Sequence, residues 1–424
     1  MNDIRKIMPE MKSGTALIEA MQEYPAYDRN IRGKSSTERL MALSDIYDVY
    51  VPSRMSVEIY HKLYLGLLRS LQKKGTLQAV CQQNENAKGV RSEKYCGIIG
   101  GSDSFTIIGV SGIGKSSAVF RSIALIRQKE ILEMEEPYCR IVPCVVVQCP
   151  FDSSVKGLLL EILRKVDEIL DSKYYMNAVR ARATTDMLIG SVSQVALNHI
   201  GLLVVDEIQN VVNSRNGKAL VGMLTQLINN SGISICMVGT PESIPFFEQA
   251  MQLARRSLGV QYGTMEFGAE FCGICRLLFE YQYTRQRMEL TDAVIEWLYE
   301  HSGGNISILI ALVHDAQEIS ILSGKDVLDM GAFHEAYEKR LAMLHDYMEP
   351  SIRRKKQCSG RGKRKSLPDN TGKACLSEER TETVCEKKGS DGMSLVELAS
   401  EAKFSHSDIV QLVQRYFTVE EVPV

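Results

Sequence analysis

Residues 105–116 read Phe105-Thr-Ile-Ile-Gly109-Val-Ser-Gly-Ile-Gly114-Lys115-Ser116. A short apolar stretch runs into G-x-x-x-x-G-K-[ST], and a helical pattern follows from Ser117 to Arg127. Strand before and helix after are the context that a phosphate-binding loop requires. Its glycines let the backbone curl so that N–H groups face phosphate oxygens, and the helix adds the positive end of its dipole. The expected nucleotide-binding set is Gly109, Ser111, Gly112, Ile113, Gly114, Lys115, Ser116 and Ser117. Lys115 would reach the β- and γ-phosphates of ATP, and Ser116 would hold Mg²⁺.

A second motif supports the first. Leu202-Leu-Val-Val-Asp206-Glu207 is an apolar run ending in two carboxylates, the pattern of a buried strand whose end faces a nucleotide. Asp206 is expected to organise Mg²⁺ through its water shell and Glu207 to polarise the attacking water. A plain acidic pair at a strand end is the alternative, and the phosphate loop upstream argues against it. Met237-Val-Gly-Thr240-Pro241 ends another strand, which makes Thr240 a candidate sensor of the γ-phosphate or the lytic water. Arg255-Arg256 follows. An arginine supplied in trans raises phosphoryl-transfer rates by about 10³–10⁵, whereas spacing alone would make this pair a solvated basic one.

Outward from these motifs, short apolar strands alternate with helical patterns. Strands are expected at 105–109, 141–149, 202–205 and 233–238, with helices at 154–170, 184–198 and 218–228. This alternation predicts an α/β fold with a parallel sheet covered on both faces. Segments 270–283, 291–300, 305–321 and 326–347 read helical. Upstream, Ser35-Ser36-Thr37-Glu38 reads as a capping box, and Tyr60, Leu63, Tyr64, Leu67, Leu68 and Leu71 recur at helical spacing. The expected organisation is an N-terminal helical extension (1–98), an ATPase core (99–268), an α-helical lid (269–348), a basic flexible linker (349–392) and a C-terminal helical partner-binding tail (393–424).

Composition is that of ordinary globular chains, with 45% hydrophobic and 24% charged residues over 424 positions. No apolar run approaches the roughly 18 residues of a membrane helix, and the start lacks a signal-peptide core, so a cytoplasmic protein without a membrane partner is expected. The 11 Cys are odd in number and scattered, which favours free thiols over a disulfide framework. Cys272 and Cys275 form one C-x-x-C without a second pair at finger spacing, so ordinary packing suits them better than zinc. The formal net charge of -2 hides an asymmetry. Residues 353–365 hold eight basic and no acidic residues, which leaves the rest of the chain distinctly acidic.

Phosphate loop, Asp-Glu strand, Gly-Thr strand end, Arg pair and helical lid together resemble an AAA+ P-loop NTPase. Flanking strings narrow the resemblance: Asp45-Ile-Tyr-Asp-Val-Tyr-Val-Pro52, Val147-Gln-Cys-Pro150, Asp206-Glu-Ile-Gln-Asn210, Gly239-Thr-Pro-Glu242 and Leu253-Ala-Arg-Arg256. Over roughly residues 40–345 the sequence resembles the TnsC/TniB-type AAA+ ATPases, transposition regulators of Tn7-like and related elements. The resemblance implies a homo-oligomer, ring or helical filament, that forms with ATP on double-stranded DNA. It also implies that the oligomer links a target-selector protein to transposase subunits, with Arg255 or Arg256 reaching a neighbour's γ-phosphate. Inward-facing Lys156, Arg180, Arg182 and Thr184 are the DNA-contact candidates; such contacts follow phosphates and are sensitive to salt.

One departure stands out. Many AAA+ lids open a helix with a sensor arginine, and here that place reads Ser302-Gly-Gly-Asn-Ile-Ser307. Slow, timer-like turnover is the expectation that follows. Two other classes share the core motifs, a signalling NTPase switch and a replication loader or initiator. The latter usually carries a winged-helix DNA reader after the lid, for which 393–424 is short.

Overall fold

The computed structural model describes residues 7–76, 79–83, 104–135, 138–212, 214, 216–244, 247 and 260–342. Contacts divide the chain into two compact units, Met1–Gly360 and Arg361–Val424, and all described residues lie in the first. Arg255, Arg256, the basic run 353–365, the expected linker and the expected tail lie outside the described residues.

Residues 105–262 form an α/β layer structure. Its strands are β1 (Phe105–Gly109), β2 (Leu132–Glu135), β3 (Tyr138–Gln148), β4 (Ile200–Asp206), β5 (Ser234–Gly239) and β6 (Val260–Tyr262). They form one sheet in the order β2-β3-β4-β5-β1-β6. All neighbours are parallel except the hairpin of β2 on β3. In this order β5 lies between the phosphate-loop strand and the Asp-Glu strand. This brings the C-terminal ends of all three parallel strands to one edge.

Both faces of the sheet are buried, as the apolar runs required. Along β4, Leu202 and Val204 face one core, while Leu203 and Val205 face the other. The first core is closed by α1 (Gly14–Met21), α3 (Arg54–Lys74) and α4 (Lys115–Ile126). The second is closed by α5 (Val155–Leu170), α7 (Thr185–His199) and α8 (Gly217–Ser231), with the short α6 (Tyr174–Arg180) between α5 and α7.

The expected strands and helices recur with small shifts, except that the helices expected at 270–283 and 326–347 are shorter, Ala269–Leu278 and Met330–Arg340, with 343–347 outside the described residues. β3 starts three residues before Ile141 because Cys139 and Ile141 pair with Met134 and Leu132 in the hairpin. The four residues of β2 are too few to show a strand pattern. Pro143 fits within β3 because β2 covers its outer edge only as far as Ile141, and an edge tolerates a missing N–H. The helices α1 and α6 and the strand β6 went unread in the sequence.

The lid comprises α9 (Ala269–Leu278), α10 (Asp292–Ser302), α11 (Ile306–Leu322) and α12 (Met330–Arg340) around its own core. Leu43, Ile46 and Val49, from the segment before α3, belong to that core. The capping box at Ser35 and Glu38 forms and opens α2 (Ser36–Leu43). From α2, buried Arg39 reaches Asp326 at 2.5 Å and 3.1 Å and the Tyr283 carbonyl at 3.2 Å. The N-terminal residues thus pack on the sheet through α3 and on the lid through α2.

At the far end of α3, fully buried Lys74 donates to the carbonyl oxygens of Ala196 (2.6 Å) and Leu197, at the C-terminal end of α7. Among the described residues no single helix is long and apolar enough to cross a membrane. The described cysteines are free, Cys272 and Cys275 included. Cys275 sits in the lid core with its thiol pushed up to about 12 by burial.

Candidate nucleotide-binding site

Gly109 closes β1, and the loop that follows turns into α4 through Gly114, whose φ is +92°. Ser111, Gly112, Gly114, Lys115, Ser116 and Ser117 line one pocket of about 270 Å³ together with Asp206, Glu207, Gln209, Gly239, Thr240 and Ser307. Of the expected nucleotide-binding set, only Gly109 and Ile113 do not line this cavity. Ile113 is buried and turns its side chain to a neighbouring cavity instead.

The Lys115 ammonium donates to the Gly109 carbonyl at 2.7 Å and the Val110 carbonyl at 2.9 Å, folded back over its own loop. Burial pushes its pKa down, and the carboxylates of Asp206 and Glu207 oppose that shift. An ammonium with only neutral carbonyls as partners in a half-dry site favours an arriving polyanion. Ser116 Oγ donates to Asp206 Oδ2 at 3.1 Å. These two oxygens come from β4 and α4, and such hard, all-oxygen donors suit Mg²⁺, which retains waters and phosphate oxygens as its other ligands.

Glu207 stands just past β4 with a left-handed backbone, φ +57°, which turns the chain sharply away from the strand. Its amide N–H donates to Asp206 Oδ1 at 2.8 Å, and its side chain accepts from Gln209 Nε2. Thr240 Oγ1 is buried and, among the described residues, has no hydrogen-bond partner. A buried hydroxyl without a partner is costly, and here it borders the phosphate pocket. A phosphate oxygen or a water would satisfy it.

A second cavity of about 280 Å³ adjoins the loop through Gly112, Gly114 and Ser117. Val49 to Val51, Ile113, Ile274, Ile306 and Ile310 give it apolar walls. An apolar slot beside a phosphate cradle suits a nucleobase. Its walls come from the N-terminal segment, the core and the lid. Residues 45–52 carry part of the family resemblance, and nothing in their spacing places them beside residues more than 200 positions away.

The lid also touches the phosphate loop where the sensor arginine is missing. Asn305 Nδ2 donates to the Ser111 carbonyl at 2.8 Å, and the Ser307 N–H donates to the Gly112 carbonyl at 3.0 Å. Gly112 has φ +82°, and a Cβ there would lie 2.6 Å from Asn305 Oδ1. Both features demand glycine.

Of the DNA-contact candidates, Arg180 ends α6, and Arg182 and Thr184 follow on the turn into α7, all three exposed. Thr184 has a local duty, capping α7 by accepting from the Met187 N–H at 3.4 Å. Lys156 lies in the first turn of α5, at the opposite end of that helix from α6.

Residues 101–261 match the family of the bacterial TniB protein. The TniB-type resemblance is thus borne out over that segment. No curated protein matches the chain. Among solved structures it is similar to the Orc1 protein of Aeropyrum pernix, solved in complex with DNA (12% identity, TM-score 0.40, 62% of this chain and 64% of that one). It is similar to Cdc6p of Pyrobaculum aerophilum (11%, 0.38, 60% and 64%) and to domain III of the replication initiation protein DnaA of Thermotoga maritima (16%, 0.35, 64% and 92%). The chain thus spans just under two thirds of the length of the first two.

Proposed function

With residues 101–261 taken as a TniB-type AAA+ segment, we propose that this chain is a slow, regulatory ATPase of transposition. It binds ATP and Mg²⁺, assembles as a homo-oligomer on duplex DNA, and links a target-selector protein to the transposase. The observation that carries the reading is the single pocket shared by Lys115, Ser116, Asp206, Glu207 and Thr240. A magnesium ion held by Ser116 and Asp206 would neutralise charge on the β- and γ-phosphates. Lys115 would leave its carbonyls for those phosphates. Glu207 would take the proton of the attacking water, and Thr240 would hold that water or the γ-phosphate.

In the assembly, Arg255 or Arg256 would complete a neighbour's site. Lys156, Arg180, Arg182 and Thr184 would follow the DNA backbone. The core and lid would form the ATPase unit, 349–392 a basic tether and 393–424 the transposase-docking tail. Deleting 393–424 is then expected to spare ATP hydrolysis and abolish transposase pull-down.

Electron microscopy of the protein with duplex DNA and a non-hydrolysable ATP analogue tests the whole reading. Nucleotide-dependent rings or filaments on DNA are expected, and their absence overturns it. Duplex DNA that neither stimulates hydrolysis nor drives assembly would point instead to a signalling switch. A turnover rate of tens per second would contradict the timer role.

A further inference from the structure

Gln209 lies two residues beyond Glu207, in the 3-10 turn Ile208–Val211. Its side-chain Nε2 donates to Glu207 Oε2, and its Oε1 accepts from the backbone N–H of Thr240 at 3.3 Å. An ionised carboxylate only accepts and a peptide N–H only donates. A side chain that joins them must donate at one end and accept at the other, which a primary amide does. Gly239 makes the room: a Cβ there would lie 2.7 Å from Ile208 Cγ2 and 3.0 Å from Gln209 Oε1. The Thr240 hydroxyl, on the same residue whose N–H is engaged, is buried beside the phosphate pocket and has no partner among the described residues.

We infer that Gln209 is a positioning residue that ties the Glu207 carboxylate to the Thr240 end of β5, so that a γ-phosphate meeting Thr240 sets the carboxylate for hydrolysis. The inference rests on the ATPase reading above. In that reaction the water oxygen bonds to the γ-phosphorus as the bond to the β–γ bridging oxygen breaks. ADP leaves with that electron pair, and the water proton passes to Glu207. Gln209 exchanges no proton; it fixes one carboxylate oxygen and leaves the other for the water.

Three shape-conserving variants of the full chain test it, assayed with ATP, Mg²⁺ and duplex DNA. Gln209→Met keeps length and bulk but cannot bridge, so kcat is expected to fall about tenfold or more, with affinity for a non-hydrolysable ATP analogue unchanged. Thr240→Val should also lower kcat, and the double variant should fall no further than the slower single one. Gln209→Glu, which sets two carboxylates together, should be slower than Gln209→Met.

Wild-type kcat in Gln209→Met, or losses that multiply in the double variant, would overturn the inference. Should Gln209→Met lose analogue binding, Gln209→Glu decides by the same pair of measurements. A wild-type chain without ATPase activity would instead bring down the underlying reading, before any variant is compared.

Discussion

The Asn305 side-chain amide holds the Ser111 carbonyl at 2.8 Å, joining the lid to the phosphate loop across 194 positions. An arginine in the lid would address the γ-phosphate directly. This lid addresses the backbone that cradles the phosphates. Two hydrogen bonds, at the Ser111 and Gly112 carbonyls, thus tie the lid to the phosphate loop.

Asn305→Ala removes the hydrogen bond to the Ser111 carbonyl, worth about 0.5–1.5 kcal/mol, together with the N-cap bond that Asn305 Oδ1 accepts from the Ser307 N–H at 3.1 Å. ATP affinity is expected to weaken about two- to tenfold, as read by titration with a fluorescent ATP analogue. Gly112→Ala should be worse, since it strains a φ of +82° and drives a methyl into Asn305.

Lys115→Ala and Glu207→Gln should separate binding from chemistry. The first is expected to abolish nucleotide binding. The second should bind normally, hydrolyse about 10²-fold slower or less, and accumulate ATP-bound assemblies on DNA. Wild-type hydrolysis in Glu207→Gln would contradict its role.

Ile310→Asp tests the apolar cavity. The lid isoleucine faces the slot, away from the phosphate cradle. ATP affinity should fall about tenfold or more, because a charge in an apolar wall must be desolvated. Affinity for inorganic tripolyphosphate should not change. Equal losses for both ligands would mean that the slot is not the base site.

Arg39→Ala breaks the guanidinium's bond to Asp326 beneath the lid. Arg39 is wholly buried, but the Asp326 side chain is 19% exposed. The expected cost in a urea melt is about 2–3 kcal/mol, below the 3–5 of a fully buried pair.

Lys74 gives stability a pH dependence. Burial lowers its pKa to about 7 in the folded chain, against about 10.4 when unfolded. Between those values the unfolded chain binds the proton and the folded one does not, so stability rises with pH. Comparing wild type with Lys74→Met in urea should show the wild-type advantage growing from pH 7 upward, by at most about 1.4 kcal/mol per unit. Below pH 7 the difference should be flat.

Asp206 and Glu207 were legible because a buried parallel strand is apolar until its end, so two carboxylates there stand out. Lys115 and Ser116 were legible because the loop's geometry is written in contiguous glycines. Gln209 and Thr240 meet only because β5 lies next to β4, which no spacing along the chain records. Asn305 was conspicuous as a missing arginine, and its actual partner is a backbone carbonyl, a group that every residue carries. The hairpin strand β2 and the strand β6, at four and three residues, are shorter than the period-2 pattern needs to declare itself.

The apolar cavity is assembled from residues 47–56, the phosphate loop, Met265 to Leu278 and Ile306 to Ile310. During synthesis these walls emerge in that order, at roughly 5–20 residues per second. A nascent chain released at residue 300 would carry both phosphate motifs, yet its slot would stand open on the lid side. If the slot takes the base, such a chain should hold ATP more weakly than a finished one, so nucleotide affinity would report that the lid has been made.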